Sequence, residues 1–237
     1  MQREAIPKRR LSDEVKARLE KMIHSGEYAP GDHLPSEREL MERFGVGRPS
    51  VREALFSLQQ LGLVTISSGE RARVTLPTPK RLLLGLDGAV RHLLTTAEGE
   101  RNFQDARLFF EVGLARHAAS FGTSDDLRRL EDALDANRRA MNDVEAFERT
   151  DVAFHYVLAQ IPHNPVYIAI HEAVVAWLTR QRTLSLRNDG AAQQAFDWHA
   201  RIFEAVAERD ADAAEAAMRD HLEGVAELYW RSRGREQ

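Results

Sequence analysis

The sequence predicts a mostly α-helical protein in which an N-terminal winged helix-turn-helix is followed by an all-α helical bundle. Capping residues, glycines and apolar positions over residues 34–73 fit two short helices and a β-hairpin. Pro77 and Pro79 then disfavour regular structure and indicate a boundary. Beyond them, apolar residues recur at helical spacing without a convincing strand pattern, so the second part should be a bundle of helices.

The chain begins with a polar and basic stretch, residues 1–10, which we expect to be a flexible arm. Ser12 is expected to cap the first helix, whose apolar stripe includes Val15 and Leu19. Gly26 follows that stripe and marks the end of the helix. We expect this helix to support the two helices that follow without contacting bases itself.

Two further helices are predicted by their end signals. Ser36 and Glu39 have the spacing of a capping box, and Gly45 suits the left-handed conformation that ends a helix. After a tight turn, Pro49 fits the first turn of a third helix, and Gly62 closes that helix. The order helix, tight turn, helix is that of a helix-turn-helix motif.

The third helix carries a pair of arginines at its N-terminal end. Arg48 and Arg52 are four residues apart and therefore share one helical face. Two arginines on an arbitrary helix are usually a solvated face. Here they lie at the end of the helix that touches base edges in helix-turn-helix proteins, so DNA contact is the favoured interpretation.

A β-hairpin, or wing, is predicted after the third helix. Residues 63–66 and 72–75 favour strands, and turn residues lie between them. Arg71 and Arg73 on this wing can reach phosphates or a minor groove.

We divide the chain into four segments: an arm (1–10), a winged helix-turn-helix domain (11–76), a linker (77–81) and a helical effector-binding and dimerisation domain (82–232). The helical periodicities in the last segment cover 81–96, 101–120, 124–141, 144–160, 165–187, 191–208 and 211–230. Thr123 with Asp126 is a second capping box, and Asn164 before Pro165 is a helix start.

Composition excludes several classes of protein. The absence of cysteine removes disulfides, cysteine zinc fingers and thiol catalysis, so any metal must be held by His, Asp or Glu. No apolar run approaches the ~20 residues of a membrane span, and we expect a cytoplasmic protein. Residues 1–76 carry 13 Lys+Arg against 11 Asp+Glu, whereas residues 77–237 carry 20 against 26. This asymmetry places the basic character in the predicted DNA-binding domain.

Four residues of the second domain form a possible metal-binding set. Asp151 and His155 are spaced i, i+4 on one predicted helix, and His199 and His221 lie beside the apolar faces of two later helices. Such a set can hold one divalent ion, although a single buried histidine is more often an ordinary core residue. Three imidazoles and one carboxylate suit Zn, Ni, Co, Cu or Fe without selecting strongly among them. His171 lies on a helix that can line the same cavity.

Arg107 and Glu111 form a second i, i+4 pair flanked by apolar residues. The pair is either an ordinary intrahelical salt bridge or part of a polar cavity. Arg180 and Gln181 are weaker cavity candidates.

Residues 35–55 read PSERELMERFGVGRPSVREAL. Over about residues 10–76 the chain resembles the DNA-binding domain of GntR-family bacterial transcription regulators. The resemblance implies phosphate or base contacts from Arg38, Arg48, Ser50 and Arg52, with Gly69 entering the minor groove at the wing tip. Glu70 replaces a basic residue found in much of the family, so Arg71 or Arg73 is expected to take over that contact.

Residues 101–230 resemble the FCD effector domain of the FadR subfamily, in which D-x-x-x-H and two later histidines bind a metal. The resemblance implies a metal site, with zinc expected, at Asp151, His155, His199 and His221. It also implies that Arg107 faces the cavity, where a guanidinium suits an effector carboxylate, and that the carboxylate can complete the metal shell.

The segments RLFFE, SSGERARV and LAQIPHNPVYIAIHEAVVAWL narrow the resemblance to family members that repress sialic acid catabolic genes. N-acetylneuraminate is then the expected effector, and a uronate or aldonate is the alternative. Residue patterns by themselves support only a small polar ligand with a carboxylate. We expect a homodimeric repressor that binds double-stranded operator DNA and is released by the sugar acid, since two identical heads on a palindromic site increase affinity and specificity together.

Two other classes remain open on the sequence. One is a metal-dependent hydrolase fused to a DNA-binding head, which requires a placed base such as Glu111 or Glu172. Neither residue lies in a catalytic motif, so we expect no enzymatic activity. The other is a metalloregulator in which the ion itself is the signal.

Overall fold

The computed structural model of the chain describes residues 10–234. They divide into two compact units, with the division between residues 85 and 86. Residues 1–9 of the expected arm lie outside the described residues. The fold class is the predicted one, since the first unit contains three helices and a small hairpin and the second is helical throughout its described part.

The first unit begins with three helices, then has a two-stranded sheet and a short fourth helix. Their bounds are Leu11–His24 (α1), Glu37–Phe44 (α2), Arg48–Gln60 (α3), Val64–Thr65 (β1), Arg73–Val74 (β2) and Pro79–Leu84 (α4). Both bonds of the predicted capping box are present at the start of α2, and Gly45 ends it at φ 64°. The predicted linker at residues 77–81 therefore includes the first turn of α4.

The first helix starts differently from the prediction. Its N-cap is Arg10, whose side chain makes no capping bond, and the helix begins at Leu11. Ser12 therefore lies inside the first turn, where it is buried instead of capping. The helix can begin before the serine because the next residues on the same face, Val15 and Leu19, are buried in the core of this unit.

The wing is a short antiparallel hairpin in which Val64 pairs with Val74 and Thr65 with Arg73. Gly69 has a φ of 79° in its turn, a conformation that a residue without Cβ adopts most easily. The loop before α2 also pairs with this hairpin, since His33 forms an isolated antiparallel bridge with Arg73 on β2. The sequence did not indicate this bridge, because residues 28–35 are dominated by turn formers.

The second unit consists of helices between Asp87 and Arg233. Their bounds are Asp87–Leu93 (α5), Ala97–Phe121 (α6), Ser124–Arg139 (α7), Val144–Gln160 (α8), Pro165–Trp177 (α9), Thr179–Leu186 (α10), Ala191–Ala207 (α11) and Ala211–Arg233 (α12). The capping box of Thr123 with Asp126 and the Asn164 cap before Pro165 are both present. No helix of the described part is long and apolar enough to cross a membrane.

Two predicted helices are each divided in the structure. The periodicity at 81–96 is interrupted at Gly85 and Leu86, which separate α4 from α5. The periodicity at 165–187 is interrupted at Leu178. No glycine or proline marks this second break. Instead, the Thr179 hydroxyl lies within hydrogen-bonding distance of the carbonyls of Val175 and Ala176 at the end of α9.

The helices of the second unit enclose a core that includes Phe147, Phe154, Ile202 and Met218. The longest helix, α6, packs against α12, and α11 packs against both. Gly224 permits the close approach of α11 and α12, because a Cβ there would lie 2.2 Å from the ring of Trp198. The polar residues of the predicted metal set lie inside this core.

Candidate functional site

Three helices bring four buried polar side chains together. Asp151 and His155 come from α8, His199 from α11 and His221 from α12. One potential ligand atom from each lies within 4.8 Å of every other. The structure thus assembles the four residues singled out in the sequence at a single point.

Three distances within this cluster are close to the edge of a tetrahedral metal site. Nε2 of His221 lies 3.1 Å from Nε2 of His155 and 3.3 Å from Nε2 of His199. Asp151 Oδ1 lies 3.4 Å from Nε2 of His199. With zinc ligands at ~2.0–2.1 Å, neighbouring corners of a tetrahedron are about 3.3 Å apart. The cluster therefore has a suitable size for one such ion.

A hydrogen-bond relay fixes the tautomer of His199. The Thr150 hydroxyl lies 3.0 Å from a backbone carbonyl that it can donate to, and it accepts from Asn137 Nδ2 at 3.0 Å. Asn137 Oδ1 is then left to accept from His199 Nδ1 at 2.9 Å. With its proton on Nδ1, His199 directs the lone pair of Nε2 into the cluster.

Glu111 plays the corresponding part for His155. Its Oε2 lies against His155 Nδ1, and its Oε1 accepts from Arg107 Nε at 2.7 Å. Burial alone would raise the pKa of Glu111, but Arg107 and His155 together hold that pKa well below its usual value. The carboxylate stays charged and can accept the Nδ1 proton of His155, which orients the ring with Nε2 towards the cluster.

Nε2 of His221 lies close enough to Nε2 of His155 and of His199 to share a proton with them or to hold a cation between them. Burial lowers the pKa of His199 and of His221 well below that of a free imidazole, so both rings are neutral. Neutral imidazoles and one carboxylate are the form in which these groups bind metals. The residues fit a divalent cation, and they do not distinguish zinc from its neighbours.

Two arginines lie next to this cluster, Arg182 buried and Arg107 partly buried. Arg107 and Arg182 line a small cavity together with Asp151 and His221. Arg182 Nε lies 3.4 Å from Glu148 Oε1, so each guanidinium has a carboxylate on one side. Both arginines also line a second small cavity. The guanidinium N–H groups that these carboxylates do not use can bind an anionic group beside the cluster.

The other predicted effector residues have different positions. His171 is buried near the Tyr156 ring, and neither of its ring nitrogens has a hydrogen-bond partner in the described part. Burial lowers the pKa of His171 to about 4. Arg180 is exposed and lines neither small cavity, which contradicts its predicted place. The buried stripe of Val174, Leu178 and Gln181 excludes it, because position 180 points away from that stripe.

Sequence reasoning missed Asn137 and Arg182. Asn137 continues the buried stripe of Leu130 and Leu134 at helical spacing, which is the only signal that it faces the core. Arg182 is buried although arginine is mostly exposed in proteins.

The first unit has a groove of about 690 Å³ between α3 and the wing. Its lining includes Arg38, Arg48, Arg52, Gly69 and Arg71. Glu70 lines the groove as well, which places an acidic residue at the wing tip.

The groove arginines have acidic partners that the sequence did not reveal. Glu37 Oε2 accepts from Arg48 Nε at 2.7 Å, and Glu37 Oε1 lies 3.9 Å from Arg52 Nε. Ser50 is half-buried in the first turn of α3 and does not line the groove. Arg73 is also absent from the lining, and its Nε donates to the carbonyl of Gly31 at 2.8 Å.

The first unit is a winged helix-turn-helix with an arginine-lined groove, and the second contains a buried cluster of residues that can bind a ligand. Together these features define a DNA-binding transcription regulator with an effector domain. The chain belongs to the GntR family of bacterial regulatory proteins. Residues 11–74 match that family and residues 103–224 match the FCD domain.

The relatives of this chain include named repressors. It is 42% identical over 235 residues to the HTH-type transcriptional repressor NanR of Enterobacter sp. (strain 638), which covers 97% of this chain and 89% of that one. The NanR repressor of Cronobacter sakazakii (strain ATCC BAA-894) is 44% identical over 229 residues, covering 94% and 86%. The solved structure of Streptococcus agalactiae GntR has the same fold, with a TM-score of 0.62 and 24% identity, covering 91% of this chain and 99% of that one.

Proposed function

We propose that this protein is a transcription repressor that leaves its operator when a small sugar acid binds in the second unit, with N-acetylneuraminate as the sugar acid. The observation that carries the proposal is the buried cluster of Asp151, His155, His199 and His221 beside two arginines, in a chain with a DNA-reading groove. Relatives named as transcriptional repressors support the direction of regulation.

DNA reading follows from the position of the arginines. Arg48 and Arg52 lie in the first turns of α3, at the end that enters a major groove. Arg38 is exposed on α2 and is suited to a phosphate. Gly69 at the wing tip has no side chain to obstruct a minor groove. Glu37 holds Arg48 and Arg52 side by side until DNA replaces it as their partner.

The metal site is assigned to Asp151, His155, His199 and His221, with zinc as the expected ion. When bound, such an ion supplies a Lewis-acidic centre to which an effector carboxylate oxygen can bind. Glu111 and Asn137 orient two of the imidazoles, and Arg107 offers its free guanidinium edge to the second carboxylate oxygen.

We assign the dimer interface to one face of α6. Phe109 on this helix is 86% exposed, which is unusual for a large apolar side chain. Beside it lies a groove of about 730 Å³ lined by Phe110, Tyr167 and Ile170 among others. A projecting ring next to an apolar groove is self-complementary, so a second copy related by a two-fold axis can insert its Phe109.

Release from DNA requires that the sugar acid bind one arrangement of the two reading heads more tightly than the other, because a ligand with equal affinity for both shifts nothing. The arginines and metal ligands come from α6, α8, α10, α11 and α12, so a bound acid draws on most of the bundle. A difference in packing among these helices can therefore change the affinity of the protein for the sugar acid.

The proposal is tested by gel retardation and calorimetry. The protein should retard the DNA that lies upstream of the genes neighbouring its own gene, at moderate salt. If this DNA is not retarded, the proposal is overturned. Calorimetry should give binding of N-acetylneuraminate. If a hexuronate binds and N-acetylneuraminate does not, the hexuronate is the effector. If metal without any sugar acid releases the operator, the ion is the effector.

A further inference from the structure

A hydrogen-bonded row of side chains borders the second small cavity. Trp230 Nε1 donates to Gln104 Oε1 at 2.9 Å, and Gln104 Nε2 donates to Gln181 Oε1 at 3.0 Å. Gln104 and Gln181 line this cavity together with Arg107 and Arg182, which also line the cavity beside the histidine cluster. The row therefore lies next to the proposed carboxylate site, but its members are not metal ligands.

The direction of this row is fixed by its first member. An indole N–H donates and cannot accept, so it determines which end of the Gln104 amide faces it. Gln104 must then donate from its NH₂ group to Gln181, and the side-chain carbonyl oxygen of Gln181 must accept. The Trp230 ring is itself held between two cations, with Arg101 at 4.8 Å and Arg233 at 5.2 Å from the ring centre.

The last member of the row ends in an unused donor. Gln181 is only 8% exposed, and its Nε2 is buried without a hydrogen-bond partner in the described part. Buried amide nitrogens nearly always have an acceptor, so one that lacks a partner calls for an explanation, and a functional role is one of them. The fixed row prevents the amide from turning to offer its oxygen instead.

We propose that Gln181 is a specificity-determining residue that donates to an oxygen acceptor of the sugar acid, at a position away from the carboxylate bound by Arg107 and Arg182. The inference rests on the proposed function and names what the site recognises besides the carboxylate. Its chemistry is that of a hydroxyl or amide carbonyl oxygen. A site built around such a donor rejects acids that lack the acceptor, because the amide is then left unpaired.

The cavity at Gln181 has a volume of about 20 Å³, which is room for roughly one water. A sugar acid therefore requires the cavity to widen. Its wall includes Gln181 and Arg182 on α10, an eight-residue helix that starts immediately after the break at Leu178.

The test is calorimetry on the full chain with N-acetylneuraminate and with pyruvate, which has a carboxylate but no sugar hydroxyls. Gln181→Glu keeps an acceptor for Gln104 and removes the donor, and Gln181→Met removes both. We expect each to weaken N-acetylneuraminate binding by about 10-fold or more. Gln181→Met, which adds no charge beside Arg107 and Arg182, should leave pyruvate binding unchanged. Gln194→Met, which alters an exposed glutamine, should behave like the unaltered protein, and thermal unfolding checks that the variants fold.

Two results would overturn the inference. If both variants bind N-acetylneuraminate as the unaltered protein does, Gln181 holds only a bound water, and the proposed function survives without it. If the unaltered protein binds no sugar acid, the proposed function fails and this inference fails with it. A Trp230→Phe variant adds a second readout, since loss of the fixed orientation should reduce the preference for N-acetylneuraminate over pyruvate.

Discussion

At the scale of single residues, the histidine cluster depends on side chains that do not themselves face the ion. Asn137 accepts the Nδ1 proton of His199, which leaves that Nε2 free to bind metal, and Glu111 lies against Nδ1 of His155 and orients its ring. Nε2 of His221 lies 3.1 Å from Nε2 of His155 and 3.3 Å from Nε2 of His199, a spacing that a shared proton or a bound cation satisfies.

Removing Asn137 should therefore weaken metal binding without removing a ligand. We expect Asn137→Ala to lower zinc affinity by about 10–100-fold, because His199 loses the partner that fixes its ring and tautomer. Competition with a chelating dye measures this. Asn102→Ala, an exposed position on α6, is the control. Equal zinc affinity in all three proteins would show that Asn137 does not orient a ligand.

His171 makes the stability of the metal-free protein depend on pH. Its pKa is about 4 in the folded protein, against an unfolded value near 6.5. Between these values the unfolded chain binds a proton that the folded protein does not, so stability falls as pH is lowered from about 7 towards 4.

Urea unfolding of chelated protein at several pH values checks this dependence. His171→Gln should show a shallower loss of unfolding free energy on acidification than the unaltered chain. His92→Gln, which changes an exposed histidine, should leave the slope as it was. A steeper loss in the His171 variant is the opposite of what the buried neutral ring requires.

Some of these residues were predictable and others were not. Asp151 and His155 share a helical face, so spacing alone brings them together, and the family pattern adds His199 and His221. Asn137 looks like any helical asparagine until its neighbours are known. The sequence did not indicate that Arg182 is buried while Arg180 is exposed, because the break at Leu178 changes which face of the following helix lies inward.

At the scale of elements, the winged helix-turn-helix follows closely from local signals. Capping residues and glycines fix the ends of α2 and the close of α3, because these positions depend on nearby backbone chemistry. The break at Leu178 was not predictable, since it depends on Thr179 and Arg182 satisfying the last carbonyls of α9. The wing prediction was too long by several residues, and Arg73 is tied to a loop that the sequence left unpaired.

The recognition helix and the wing should therefore differ in their effect on operator binding. Arg48→Ala should cost about 1–3 kcal/mol of operator affinity, as a base contact does. Arg73→Ala should cost much less, because that side chain is bonded to Gly31 and does not line the groove. Fluorescence anisotropy at fixed salt compares the two. A larger loss for Arg73 would reverse this assignment and place the main contact on the wing.

The exposed face of α6 leads to a prediction about assembly. Phe109→Glu should convert a dimer to a monomer, because a charge cannot enter the apolar groove beside it. Phe121→Glu is a matched control, since Phe121 is exposed on the same helix but does not line the groove. Light scattering during gel filtration reads the mass. If Phe109→Glu stays dimeric, the interface lies elsewhere.

At the scale of the whole molecule, the chain separates its two tasks by charge and by composition. The first 76 residues are slightly basic and the remainder is acidic, so attraction to DNA is confined to the reading unit. Buried charge is concentrated in the second unit, where Arg182, Glu111 and Asp151 lie with the partly buried Arg107 around the proposed effector site. Operator binding and effector binding are then linked, and each ligand must change the protein's affinity for the other by the same factor.

The most direct test of this linkage is to titrate N-acetylneuraminate into a preformed protein–operator complex and follow DNA anisotropy at constant salt and zinc. We expect release of DNA by the unaltered protein. Arg107→Lys keeps the charge but loses the forked carboxylate contact, so it should require at least about 10-fold more sugar acid while binding operator normally. Persistence of the unaltered complex at saturating sugar acid, or identical release curves for the two proteins, would contradict the account.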